Sequence, residues 1–301
     1  MTAPNRVVFT VAKDDVGRRL DQVLAARVEG LSRRQARVLL DIGGVFVDGR
    51  RLKVAGRLMH KGEEVVAVLG GALARATKKT GRAARTADEA QLPVYTVVFE
   101  DDDVVVVDKP SGLLTAPTPE SDRNNLADLL SRRPGAVPVF VVHRIDLETS
   151  GLVVFAKTSE ANVELSRRFR DHDLERAYLA LVDGRFPSEV KVIDRPVGGR
   201  RAVTHVDVRE RFGDRATLVA CRLETGRTHQ IRLHMVEVGT PVIGDARYGQ
   251  RFSPAPPRMA LHATRLALAH PRTGAPLSFD SPWPPDLEAW TATVLRNMVT
   301  L

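Results

Sequence analysis

The chain has 301 residues, with 45 lysines and arginines against 37 aspartates and glutamates, a formal net charge of +8 and a pI near 10. That length can bury more than one core, the charge favours an anionic partner with nucleic acid first, and a single cysteine, Cys221, excludes an internal disulfide or a thiolate metal cluster. No apolar run reaches the roughly twenty residues that a membrane span needs, and Met1-Thr2-Ala3-Pro4-Asn5-Arg6 lacks a signal-peptide core, so a cytoplasmic protein with no membrane partner is expected.

A small α/β unit is expected over 15–69. Leu20, Val23 and Leu24 repeat at helical spacing, and Ser32 is placed to cap a second helix, Arg33-Arg34-Gln35-Ala36-Arg37-Val38-Leu39-Leu40, which Gly43-Gly44 closes. Val45-Phe46-Val47 alternates into Asp48-Gly49, a hairpin dipeptide, and Glu64-Val65-Val66-Ala67-Val68 reads as a closing strand. Arg33, Arg34 and Arg37 share a segment too polar on one side for a core; from charge alone it reads equally as a solvated face or a phosphate-binding one. This order of elements, with Arg19-Leu20-Asp21, Ser32-Arg33 and Gly44-Val45-Phe46-Val47-Asp48-Gly49, resembles the ribosomal-protein S-four-type RNA-binding domain, or alpha-L motif. The resemblance implies a module that holds structured RNA through phosphates and shape, with Arg33, Arg34 and Arg37 as its RNA-binding residues. Residues 70–91 open with Gly70-Gly71, are rich in Ala, Thr, Lys and Arg, and lack apolar periodicity, which predicts a flexible basic linker containing Lys78, Lys79, Arg82 and Arg85.

A second domain is expected over 92–301. Val94 to Phe99 and Val104-Val105-Val106-Val107 read as strands parted by Asp101-Asp102-Asp103, and the unbroken valine run implies burial on both faces. At the strand end, Lys109 in Asp108-Lys109-Pro110-Ser111-Gly112-Leu113-Leu114 reads as an exposed turn lysine or as a phosphate or acid partner. A helix at Asn125 to Leu130 and a strand at Val137 to Val142 lead into His143-Arg144-Ile145-Asp146-Leu147-Glu148-Thr149-Ser150-Gly151-Leu152, before the buried strand Val153-Val154-Phe155-Ala156. A polar loop between two packed strands can aim a carboxylate, and Asp146, beside Arg144 and the hydroxyls of Thr149 and Ser150, is the candidate. A helix from Ser159 carries Ala161, Leu165 and Phe169 on one face; Tyr178 then stands at the mouth of the strand Leu179-Ala180-Leu181-Val182, among Arg167, Arg168, Arg170 and Arg176.

Runs at 202–208 and 216–223 alternate as antiparallel strands, and Gly226 precedes a helix with Ile231, Met235 and Val238 on one face and Gly239 as its stop. Arg227, His229, Gln230, Arg232 and His234 are left to be explained. Two histidines five positions apart, with no carboxylate or thiol cluster, do not make a zinc site, so no metal is expected. Arginines at a helix N-terminus oppose its dipole unless an anion is near, and either a phosphate or the carboxylate of Asp146 would serve. Gly244-Asp245-Ala246-Arg247-Tyr248-Gly249 reads as a turn, 259–263 and 266–268 as strands, and Ser281-Pro282-Trp283-Pro284-Pro285 leads to a closing helix.

Together, in this order, Asp108 to Leu113, His143 to Leu152, Arg176-Ala177-Tyr178, Gly226 to His234, Gly244-Asp245 with Tyr248-Gly249, and Leu261-His262-Ala263 before His270-Pro271 resemble the RluA-type pseudouridine synthase family over about Val94 to Leu287. The resemblance implies an α+β domain around a mixed, mainly antiparallel sheet. It implies an isomerase that detaches uracil from ribose, turns it and rejoins it through a ring carbon, with nothing oxidised and no cofactor. By the same resemblance, Asp146 is the catalytic carboxylate, Tyr178 lies against the flipped uracil, and Arg232 pairs with Asp146, with Arg227 second for that role. Arg144 enters the RNA, and Arg227 and His229 join the RNA-binding set. After Leu114, many relatives carry a histidine where this chain has Thr115-Ala116-Pro117, which leaves the subfamily and the modified site open. Large-subunit ribosomal RNA is the first expected substrate, transfer RNA the second, and the enzyme is expected to act as a monomer. Two other classes stay open: a non-catalytic ribosome-assembly protein, which the charge and front module equally suit, and a glycoside hydrolase, which needs a second carboxylate such as Glu148 facing the same pocket.

Overall fold

The computed structural model describes residues 5–78, 92–119 and 123–296. Contacts along the chain divide these into two units, 5–78 with 92, 116–119 and 123–129, and 93–115 with 130–296. In the first unit, strands β1 (Asn5–Thr10), β2 (Val45–Val47), β3 (Arg50–Arg51) and β4 (Glu64–Leu69) form an antiparallel sheet in the order β1-β4-β2-β3. Helices α1 (Leu20–Arg27) and α2 (Arg33–Asp41) accompany it. Ser32 caps α2 as its position predicts: its hydroxyl accepts the Gln35 N–H at 3.2 Å, and the Gln35 side chain accepts the Ser32 N–H at 2.9 Å. Asp48 and Gly49, at φ of 47° and 74°, turn β2 into β3. Leu20, Leu24, Leu39 and Leu40 meet Val45, Val65 and Ala67 in one buried cluster. Each such side chain contributes roughly 1.5–3 kcal/mol, which is what holds helices too short to persist alone.

The unit is larger than the sequence predicts. β1 precedes residue 15 and pairs along all of β4, from Asn5 opposite Leu69 to Thr10 opposite Glu64. The start of the expected linker is helix α3 (Gly71–Lys78), because Ala72, Leu73 and Ala76 give it an apolar side that packs on the same core. The rest of that linker, with Lys79, Arg82 and Arg85, lies outside the described residues. Residues 116–129, which the sequence assigns to the second domain, pack with the first: Arg51 Nη2 donates to the Thr118 carbonyl at 2.8 Å, and Arg123 pairs with Asp41 at 2.7 Å. Helix α4 (Leu126–Ser131) follows.

The second unit is built on ten strands: β5 (Thr96–Glu100), β6 (Val104–Lys109), β7 (Phe140–Val141), β8 (Ser150–Ala156), β9 (Glu175–Asp183), β10 (Val192–Asp194), β11 (Val203–Phe212), β12 (Ala216–Leu223), β13 (Leu261–Ala269) and β14 (Pro276–Asp280). Their order is β10-β11-β12-β9-β13-β8-β6-β5, with β14 on β13 and β7 on β8. Only β13 and β8 run parallel, so the sheet is mixed and mainly antiparallel. Val104 to Val107 are fully buried, as their unbroken run predicts. α5 (Ser159–Asp171) covers one face through Ala161 and Leu165; α6 (Gln230–Glu237) and α7 (Pro285–Thr291) complete the unit's α-helices among the described residues.

Strands β10 and β14 have no counterpart in the sequence expectation, and three of the expected strands take a different form. The strand predicted over 137–142 shrinks to the exposed pair Phe140–Val141, since Pro138 has no N–H to give a ladder. β9 starts at Glu175, which puts Tyr178 inside a strand rather than at its mouth, and β13 runs unbroken where two strands are predicted. Where β8 meets β13, Gly151 lies opposite Ala263 at φ 111°, and a Cβ on it would stand 2.2 Å from the Ala263 carbonyl oxygen. Only glycine fits there. Ala263 is paired on its other side with Tyr178. With strands spaced about 4.8 Å apart, the register alone sets the end of the Asp146 loop and Tyr178 roughly 10 Å apart across the sheet.

Candidate active site

The loop before β8 is fastened by the segment that follows β6. Lys109 is fully buried, and its Nζ donates to the carbonyls of Pro110 at 2.9 Å, Leu113 at 2.8 Å and Leu147 at 3.3 Å. It is therefore neither an exposed turn residue nor a phosphate ligand. Burial pulls its pKa down to about 7, against the opposing pull of the Asp146 charge. Ser111 Oγ donates to the Glu148 carbonyl at 2.7 Å, and the Gly112 N–H to that of Leu147 at 2.8 Å. Thr115, the residue where the sequence departs from the common family pattern, both donates to the Ile145 carbonyl at 2.8 Å and accepts the Ile145 N–H at 3.3 Å. His143 shapes the loop's entry: its Nε2 accepts the Val154 N–H at 3.0 Å and its ring stacks on Phe169. Burial, helped by the charge of Arg176, pushes His143 down to about 3, so it is a neutral acceptor.

These ties present Asp146 to Arg232. Arg232 Nη1 donates to Asp146 Oδ2 at 3.1 Å, while its Nε and Nη2 grip the two oxygens of Asp245 at 2.6 and 2.8 Å. Asp245 is itself buried and accepts the backbone N–H groups of Arg247 and Tyr248 through Oδ1. Burial works against both charges. Even so, the shared hydrogen bonds hold the Asp245 carboxyl below its usual range and, together with the bond to Asp146, raise Arg232 above its own. The Tyr248 ring lies under the guanidinium at 5.0 Å. Arg232 is thus a preset fork with one prong left for Asp146. Arg227, the second candidate for that role, donates instead to the Arg201 carbonyl at 3.1 Å.

His229 belongs to this centre rather than to an outlying RNA surface. Its Nε2 is 3.7 Å from Asp146 Oδ1 and its Nδ1 is 2.9 Å from the Tyr248 hydroxyl; it takes a left-handed φ of 58° just before α6. Burial lowers its pKa, so at neutral pH it is an uncharged imidazole. The remaining polar side chains of this helix are structural: Gln230 bonds Val203, Thr204 and Thr225, and His234 bonds Thr204 and the Arg195 carbonyl. Glu148 is 3.8 Å from Arg232, with a side chain 44% exposed. His262, in the last recognised motif, bridges the hydroxyls of Ser150 and Ser281.

Asp146, Arg232, His229 and Tyr178 line one cavity of about 550 Å³, with exposed Arg144 and half-buried Arg227 at its border. Tyr178 is buried, and burial raises its phenol pKa, so it enters the cavity as a neutral ring with a protonated hydroxyl. A carboxylate held by one arginine prong, a neutral aromatic wall and room for a planar ring suit chemistry on a base taken out of its stack.

In the first unit, Arg33 and Arg37 converge with Arg19 on buried Asp21, at 3.1, 2.7 and 3.3 Å, whereas Arg34 is exposed and has no ion pair among the described residues. Elsewhere Asp101, Asp103 and His270 cluster: Asp101 accepts two backbone N–H groups and contacts His270, and Asp103 Oδ2 takes the Arg272 Nε at 2.6 Å. No helix among the described residues is long and apolar enough to cross a membrane.

Comparison with known proteins agrees with this geometry. Residues 103–237 match the family model described as RNA pseudouridylate synthase, and residues 18–65 match the S4 domain. The chain is 36% identical over 321 residues to the ribosomal large subunit pseudouridine synthase D of Nitrosomonas europaea, covering 98% of this chain and 89% of that one. It is 34% identical over 314 residues to an uncharacterized RNA pseudouridine synthase of Bacillus subtilis, covering 97% and 99%. Among solved structures, human RNA pseudouridylate synthase domain containing 1 is similar at 26% identity and a TM-score of 0.52, over 65% of this chain and 87% of that one. The human domain containing 4 shares the fold at 22% identity and a TM-score of 0.55, over 67% and 93%.

Proposed function

Given that this chain belongs to the RNA pseudouridylate synthase family and carries an S4 domain ahead of the synthase domain, we propose that it converts uridine to pseudouridine in large-subunit ribosomal RNA, with Asp146 as the catalytic carboxylate. The observation that carries this reading is the single Arg232 prong, 3.1 Å from Asp146 and backed by Asp245. It aims the carboxylate. From there Asp146 either bonds to the anomeric carbon or takes the neighbouring ribose proton. Flipping the nucleotide costs a few kcal/mol, offset by stacking on Tyr178 and by Arg144 filling the place the base has left. The S4 domain anchors the RNA through phosphates, with Arg33, Arg34 and Arg37 on its basic helix. The enzyme acts as a monomer.

Support for ribosomal over transfer RNA comes from the similarity to a ribosomal large subunit pseudouridine synthase. The test is to incubate the protein with ribosomal and transfer RNA transcripts and map pseudouridine chemically. Product in large-subunit RNA is expected, product in transfer RNA alone would move the substrate class, and product in neither would favour a binding protein. Asp146→Asn should keep RNA affinity within about threefold and form no pseudouridine; appreciable product would remove Asp146 from the role.

A further inference from the structure

Arg176 is a cation without a counter-ion. It lies in the interior of β9, 8% exposed, yet no ion pair among the described residues reaches it, and its Nε is buried with no hydrogen-bond partner. Asp146, the carboxylate among the described residues that line the cavity, goes to Arg232, as does Asp245 behind it. An unpaired buried charge is among the most costly features a fold can carry. Here the surroundings are shaped to keep it. The guanidinium lies over the Phe169 ring at 5.5 Å, and Gly226 leaves the space it fills, since a Cβ there would stand 2.8 Å from Arg176 Nη1.

Its placement relative to Tyr178 gives the charge a use. Residues two apart on a strand face the same side, about 7 Å from one another, and both side chains line the cavity. Tyr178 has two charged neighbours, Arg176 and Asp146. A uracil lying against Tyr178 therefore sits between a carboxylate and a guanidinium. The carboxylate must face the sugar, so the guanidinium faces the base.

We propose that Arg176 is a further catalytic residue, which binds the negative charge that uracil carries once it has left the sugar. The inference rests on the pseudouridine synthase reading above. When the N1–C1′ bond breaks, its electron pair stays on N1 and spreads onto O2 and O4. The sugar carbon is satisfied either by a new bond from an Asp146 oxygen or by transfer of the C2′ proton to that carboxylate. After the ring turns, C5 bonds to C1′ as the Asp146 oxygen leaves or the proton returns to C2′; C5 then yields its proton to water and N1 takes one up. The sum is an isomerisation with no oxidant or reductant. Between the two bonds the base is an anion, and a preset cation held against the protein interior is worth more to it than a mobile one in water.

The test uses full-length Arg176→Met and Arg176→Lys with a transcript that the wild type modifies, and the same transcript carrying 5-fluorouridine, whose base is the more acidic leaving group. Loss of the N-glycosidic nucleoside is followed in single turnover. For Arg176→Met a slowing of about 100-fold or more is expected on uridine, at least tenfold less on 5-fluorouridine, with RNA affinity and its salt dependence unchanged and Arg176→Lys recovering a large part. A wild-type rate, or equal slowing on both substrates, overturns the proposal. So does weaker binding with a salt slope reduced by about 1, which marks a phosphate contact. If Arg176→Met does not fold, Gly226→Ala, which intrudes on Nη1, decides by the same two-substrate comparison. Wild type that makes no pseudouridine sinks the function reading; active wild type with an undiminished Arg176→Met sinks only this one.

Discussion

Arg232 shows how one side chain can be made into an instrument. A free arginine beside Asp146 would sample many rotamers, but two of its three nitrogens are spent on Asp245, which leaves one direction for the third. Asp245→Asn tests this without opening a cavity. The substitution keeps the shape, removes the charge and weakens both bonds, so Arg232 should drift by an ångström or so, and such misplacement costs about 100-fold in rate. RNA affinity should stay within about threefold, as read by filter binding beside single-turnover rates. Equal kinetics for variant and wild type would show that Asp245 is not what positions the fork. Asp245→Ala is the worse choice, since stranding a buried guanidinium costs roughly 3–5 kcal/mol and endangers the fold.

At the scale of elements, the helix pair of the first unit is joined by charge as well as by leucines. Asp21 on α1 is fully buried and accepts from Arg19, Arg33 and Arg37. Burial alone would raise its pKa, yet the hydrogen bonds from Arg37, then Arg33 and Arg19, hold it at about 2. Because the folded value lies below the unfolded one, the contribution, about 1–2 kcal/mol, is complete above roughly pH 4 and is lost as the pH falls toward 2. Hydrogen exchange on the full chain should therefore show the amides of α1 and α2 losing protection across pH 4 to 2 in the wild type. Asp21→Asn should already be less protected at neutral pH and should lack that step; a step of the same size in the variant would place its origin elsewhere. The pairing also bears on how the sequence is read. Arg33 and Arg37 look like a free basic face in one dimension, and the carboxylate that engages them lies a helix away.

For the whole molecule, the net charge of +8 is the long-range term that draws a polyanion, and the first unit supplies part of it. Arg34 is the member of its helix trio with no ion pair among the described residues, so it is the best single probe. Arg34→Ala should weaken RNA binding and lower the slope of log affinity against log salt by about 1, with the rate at saturating RNA unchanged; an unchanged slope would take Arg34 off the RNA.

The sequence by itself determined the elements whose signals are local: the valine run of β6, the Ser32 cap, the Asp48-Gly49 hairpin, and a polar loop carrying Asp146 ahead of a buried strand. Each depends on residues within a few positions of one another. What tertiary structure alone decided depends on residues far apart in the chain. Lys109 is a buried clamp because Leu147, 38 positions on, brings it a carbonyl. β1 is a strand because β4 offers it a ladder more than fifty residues later. Arg232 is a fork because Asp245 grips it, and Arg176 is unpaired among the described residues because the fold brings it phenylalanine and glycine neighbours there but no acid. Charge and burial belong to the surroundings of a side chain, and those surroundings exist only once the sheet has closed.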